Sequence, residues 1–184
     1  FSHKNDYEMY KTEYDKTIMN VIESGLFING SCVQEFENKL NSYLKIRHSL
    51  CVTSGTNALL ISLLALGVKP GDEIITTPFT WIATSEVICL LGAIPIFVDI
   101  DSKTYNLDET KVESAITSKT VGILPVSLYG NMCNMDELMK IANKNNIWVV
   151  EDGAQSFGAV NNSKKSCSVA TISCTSFFPT KPLG

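Results

Sequence analysis

Residues 73–99 read EIITTPFTWIATSEVICLLGAIPIFVD, and the fold turns on how this stretch is read. A short apolar run at 73–77 is followed by Pro78, then by helical spacing over about 82–91. Gly92 leads into a second apolar run at 94–99. Strand, helix and strand at this separation form a crossover unit, the connection that parallel strands require.

The same alternation extends in both directions. Upstream, the spacing predicts a short buried strand at 49–53, a helix at 56–66 and a turn at Gly67-Val68-Lys69-Pro70-Gly71-Asp72. Downstream, it predicts a helix at about 107–116, a strand at 121–127, a helix at about 135–145, and strands at 147–151 and 170–177. Repetition of this kind implies an α/β fold of three layers, a mostly parallel sheet with helices on both faces. Residues 6–43 carry helical spacing in two pieces, broken at Ser24-Gly25 and Asn29-Gly30. The chain is therefore divided into an N-terminal arm and leading helix (1–48) and an α/β domain (49–184), with no linker after residue 49.

Composition removes several classes of function. A chain of 184 residues with 45% hydrophobic and 18% charged residues can bury an ordinary core. A net charge of -4 with scattered acids argues against a polyanion-binding groove. The longest apolar stretch, near 58–68, is too short to span a bilayer and runs straight into Lys69-Pro70-Gly71-Asp72. Six cysteines lie mostly in apolar runs, without a CxxC pair or a neighbouring histidine, as expected of a protein of the reducing cytoplasm. No metal site is expected. The chain opens at Phe1 and stops at Lys181-Pro182-Leu183-Gly184, so both ends are expected to be truncated.

In open α/β sheets the ligand crevice lies beyond the carboxyl ends of the strands. Four segments fall there. Ser54-Gly55-Thr56-Asn57 joins a predicted strand to a helix, which suits either an anion held by backbone N–H groups or a plain N-cap. Asp152 ends an apolar strand, where a buried carboxylate needs a compensating partner. A protonated pyridine nitrogen, a turn cap or a metal would each serve. Glu151 points to the other side and is the weaker candidate. Lys181 follows Phe177-Phe178-Pro179-Thr180; it is either an ordinary surface lysine or one desolvated for Schiff-base chemistry. Trp81 is either a packing residue or a flat face for an aromatic cofactor. There is no GxGxxG, P-loop, GxSxG or HExxH motif, which removes the simplest dinucleotide, hydrolase and metalloprotease readings.

Taken together, Ser54-Gly55-Thr56-Asn57-Ala58-Leu59, Thr80-Trp81-Ile82-Ala83-Thr84, the run from Glu151 to Gly158 and the run from Ser176 to Gly184 resemble the DegT/DnrJ/EryC1/StrS family of sugar aminotransferases. The resemblance implies the fold-type I architecture of enzymes that use pyridoxal 5'-phosphate. It implies Lys181 as the Schiff-base lysine, Asp152 paired with the pyridinium nitrogen and Gln155 on the ring's hydroxyl side. Gly55, Thr56 and Ser176 would hold the phosphate, and Trp81 would stack on the ring. It further implies transfer of an amino group, usually from glutamate, to a nucleotide-linked keto-sugar by a homodimeric enzyme without nucleic-acid or membrane partners.

The chain corresponds to the first half of such a protein, with the small C-terminal domain absent, and is expected to be inactive alone. Two positions depart from the family pattern: Gly153, where alanine is common, and Asn57, where an acid is common. A dehydratase branch carries histidine at the lysine position, so Lys181 favours transamination. A catalytically silent binding or regulatory protein and a nucleotide-binding domain without the cofactor are the other readings. Within the family, the runs 126–130, 151–158 and 175–184 look most like the subgroup that aminates a UDP-linked 3-keto N-acetylglucosaminuronate for surface polysaccharides. Members acting on 4-keto-6-deoxy sugars are the alternative.

Overall fold

Consecutive strand residues face opposite sides of a sheet. In this chain they enter two different cores. Ile75, Ile123 and Val149 belong to one apolar cluster, and their sequence neighbours Ile74, Leu124 and Val150 to another. Both faces of the sheet must therefore be covered. A computed structural model describes residues 3–183.

Contacts divide the chain into two units, Phe1–Cys51 and Val52–Gly184. The first carries α1 (His3–Met9), α2 (Lys11–Ser24) and α3 (Ser31–Leu44). Gly25, in the left-handed conformation at φ 65°, ends α2. The second unit runs α4 (Gly55–Ala65), β1 (Glu73–Thr76), α5 (Ala83–Leu90), β2 (Ile94–Phe97), α6 (Glu109–Val112, continued by a 3-10 turn at Glu113–Ala115) and β3 (Thr120–Ile123). It goes on through α7 (Met135–Asn145), β4 (Trp148–Asp152), β5 (Val160–Asn161), β6 (Lys164–Lys165) and β7 (Ile172–Cys174). The main sheet has the order β2-β1-β3-β4-β7, and every pairing in it is parallel. Leu59 and Leu63 of α4 with Val87 and Ile88 of α5 cover one face; Val112 of α6 with Met135, Leu138 and Ile141 of α7 cover the other. Each such fully buried side chain contributes about 2 kcal/mol. The three-layer α/β reading holds.

Four local expectations fail for identifiable reasons. Residues 49–53 form no strand: the Ser49 hydroxyl donates to the Glu37 carbonyl and the Cys51 N–H to the Glu37 carboxylate, so this stretch is tied to α3 instead of to a ladder. Leu50 is accordingly 77% exposed. The helix foreseen at 107–116 contracts, because Leu107 bridges Ile100 and the Asp108 side chain caps the Thr110 N–H, which delays the start. The strand foreseen at 121–127 stops at Ile123, two residues before Pro125, which has no N–H to continue a ladder; only an isolated bridge, Val126 to Asp152, follows. The last strand keeps three residues of the eight foreseen. The β5–β6 hairpin was not foreseen, although Asn162-Ser163 between its strands, at φ 48° and 63°, has the left-handed pair that two-residue hairpins prefer.

Candidate active site

The alternation along β4 decides what each of its two carboxylates meets. Val149 faces the α6 and α7 side and Val150 the α4 and α5 side, so Glu151 follows the first and Asp152 the second. Glu151 is fully buried. Its Oε1 accepts from the hydroxyls of Ser127 (3.0 Å) and Ser166 (2.8 Å), and its Oε2 from the Cys167 N–H (2.8 Å) and the Ser173 hydroxyl (3.3 Å). Four donors fill the capacity of a carboxylate, which is about four lone-pair directions.

Asp152 is 7% exposed and has a different shell. Its Oδ2 accepts from the Thr84 hydroxyl at 2.9 Å and its Oδ1 from the Ala154 N–H at 3.1 Å. Burial pushes its carboxyl above the usual carboxylate range, while the Ala154 amide, the Thr84 hydroxyl and the charge of Lys181 oppose that rise. Part of its accepting capacity remains for a further partner.

The other site residues predicted from sequence gather around the same end of the sheet. Ser54 caps α4, its Oγ accepting from the Asn57 N–H at 3.1 Å. The amides of Gly55 and Thr56 stand in the first turn, where a helix supplies no acceptor of its own. A Cβ at position 55 would lie 3.1 Å from the Cβ of Ser176, so a glycine lets the two segments close up. The Ser176 Oγ accepts from the Phe178 N–H at 3.3 Å, which leaves its hydroxyl proton available. Lys181 is half-buried, its N–H donating to the Phe178 carbonyl at 2.8 Å, and its charge acts on Asp152. The Gln155 Oε1 accepts from the Tyr129 N–H at 3.3 Å, so its amide NH2 is left to donate.

Trp81 is 73% exposed, and its carbonyl accepts from the Thr84 N–H at 3.3 Å. Of the aromatic residues preceding Lys181, Phe177 packs edge-on against Phe157 and Phe178 is exposed. In the sequence Thr84 is visible only as part of the 80–84 motif, because the carboxylate it meets lies 68 positions away. The six cysteines are free. Burial pushes the thiols of Cys133 and Cys167 up to about 12 and that of Cys174 up to about 11, which makes them inert as nucleophiles. No group of three or more histidine, cysteine or acidic residues able to hold a metal occurs among the described residues. No helix among them is long and apolar enough to cross a membrane.

A buried acid, a lysine, an amide donor and a helix N-terminus lie at the carboxyl end of a parallel sheet, the end at which α/β proteins bind their ligands. The DegT/DnrJ/EryC1/StrS aminotransferase family model matches residues 8–184, and the chain belongs to that family. It is 48% identical over 181 residues to the UDP-2-acetamido-2-deoxy-3-oxo-D-glucuronate aminotransferase of Pseudomonas aeruginosa, covering 98% of this chain and 50% of that protein. Among solved structures it is similar to S. venezuelae DesV, at TM-score 0.96 and 36% identity, covering all of this chain and 49% of that one. It is also similar to the NtdA protein of Bacillus subtilis with bound cofactor PMP, at TM-score 0.86 and 38% identity, covering 92% of this chain and 38% of that one. The chain spans about half the length of the curated relatives it matches.

Proposed function

We propose that the full-length protein is a pyridoxal-phosphate-dependent aminotransferase that moves an amino group from glutamate to a nucleotide-linked keto-sugar. The observation that carries this reading is Asp152, buried, supplied with only two donors and lying within the field of Lys181. The donor set fits the cofactor. Asp152 suits a protonated ring nitrogen, the Gln155 amide suits the ring oxygen, and the first turn of α4 with the Ser176 hydroxyl suits the phosphate.

When bound, the cofactor supplies an electron sink for the pair left on the substrate carbon. Asp152 holds the proton on the ring nitrogen by its charge. Lys181 would hold the cofactor and, once free, its amine would serve as base and acid, taking a proton from the substrate carbon and returning it on the cofactor side. Trp81 covers the ring. The 48% identity to the P. aeruginosa relative supports a UDP-linked 3-keto N-acetylglucosaminuronate as acceptor. The same reading makes the full-length protein a cytoplasmic homodimer that serves surface-polysaccharide synthesis.

The test supplies the full-length protein with pyridoxal phosphate, glutamate and one keto-sugar at a time, and follows 2-oxoglutarate. Turnover is expected with the 3-keto uronate, with a fall of about a thousand-fold or more in Lys181→Ala. Turnover only with 4-keto-6-deoxy sugars would reject the acceptor. No amino transfer to any of them, or full activity in Lys181→Ala, would reject the function.

A further inference from the structure

The hydroxyl of Thr84 reaches across from α5 to Asp152 Oδ2 at 2.9 Å, and both residues are buried, Thr84 at 0% exposed. A threonine inside a helix ordinarily turns its hydroxyl to solvent or to a carbonyl one turn back. Here it is spent on a carboxylate 68 positions away. Behind it, the Thr80 hydroxyl lies 3.5 Å from that of Thr84. The Thr84 N–H also donates to the Trp81 carbonyl, so one residue touches both the acid and the turn that carries the tryptophan.

We propose that Thr84 is a positioning residue for cofactor binding: by donating to Oδ2 it holds the Asp152 carboxyl group in place and fixes which of its remaining lone pairs faces the ring nitrogen. The inference rests on the cofactor reading above. The geometry supplies the reason. Burial favours the neutral acid, and a neutral acid gives no charge pairing to a protonated pyridine. Among the opposing influences, the Ala154 amide is fixed by the backbone and Lys181 is a flexible side chain, whereas Thr84 is a side-chain donor locked in place by its surroundings. The other titratable groups in the field of this acid are Lys181, Cys167 and Cys174.

The test uses the full-length protein and measures the affinity for pyridoxal phosphate by its absorbance change across pH, together with the melting temperature of the cofactor-free form. Thr84→Val keeps the shape and removes the donor; Thr84→Ser keeps the donor. Thr84→Val is expected to bind the cofactor about ten-fold more weakly at neutral pH, the loss of one hydrogen bond to a charged group. The acid side of its binding profile should move to higher pH, because a carboxyl without its donor protonates sooner. Thr84→Ser should return both. A lower melting temperature in Thr84→Val with an unmoved acid limb and unchanged affinity would overturn the proposal in favour of a packing role. If Thr84→Val does not fold, the serine variant decides: a profile unlike that of the native protein overturns the proposal. Failure of the native protein to bind the cofactor at all would instead reject the reading on which this one stands.

Discussion

Two neighbouring acids end β4 and face opposite sides of the sheet, and their surroundings differ in kind. Glu151 is enclosed by four donors contributed by the segments at 127, 166–167 and 173; Asp152 has two. A saturated buried carboxylate fastens the chain segments that donate to it. An unsaturated one retains a destabilisation that only another partner can relieve. The contrast teaches that burial alone does not mark a functional acid; the donors it still lacks do.

The comparison is broken most severely from the saturated side. Glu151→Ala leaves three serine hydroxyls and an amide without their acceptor, and should lower the stability of the full-length protein by about 4 kcal/mol, read from denaturant melts. A loss within ~1 kcal/mol would mean that water replaces the carboxylate and that Glu151 fastens nothing. On the other side, Asp152→Asn should slow turnover about a hundred-fold, near 2.7 kcal/mol in the barrier.

Its effect on the cofactor-free protein should have the opposite sense. The folded carboxyl binds its proton more tightly than the unfolded one, so the burial penalty is absent below the unfolded value, about 3.9. It grows as pH rises and is fully present above the raised folded value. The amide removes that penalty, so melting at neutral pH should be retained or raised, and any gain should disappear towards pH 4. A drop of several degrees at neutral pH would place Asp152 with Glu151 as a fastening residue.

The smallest effect sharpens the link between the two sides. A Cβ on Gly153 would lie 2.5 Å from the Cys167 Sγ, while the Cys167 N–H holds Glu151. The thiol thus fills the space that a methyl group at 153 would use. Gly153→Ala should cost about 2 kcal/mol by overpacking. Adding Cys167→Ala should restore most of it in a double-mutant cycle; simple additivity would show that the pair is not matched.

What could be read from the sequence follows from how local each signal is. Apolar runs at 73–77 and 147–151 become strands inside the sheet and bury most of their residues, and the run at 94–99 becomes its edge strand, with Ile94 45% and Phe97 52% exposed, so the parallel sheet and the carboxyl-end position of Asp152 were legible. Residues 49–53 carry an equally apolar run, yet a strand also needs a neighbour, and Glu37 holds this stretch instead. The motif segments around 54–56, 152–155 and 176–181 were legible as groups of residue types. Which acid was saturated was not, because the donors come from serines and an amide 15 to 24 positions away. Thr84 was overlooked for the same reason, since its partner lies on another element.

Gly122 pairs in register with Trp148, and the indole lies so close across that backbone that no side chain fits at 122. The chain's other tryptophan, Trp81, is 73% exposed at the opposite end of the strands. The molecule thereby carries two fluorophores in contrasting settings. Trp148 emits from a half-buried position against β3 and reports whether the sheet is assembled. Trp81 emits from an open one, where a dissolved quencher or an absorbing ring can reach it. Light collected from one sample can therefore separate loss of the sheet from filling of the crevice, with no label added.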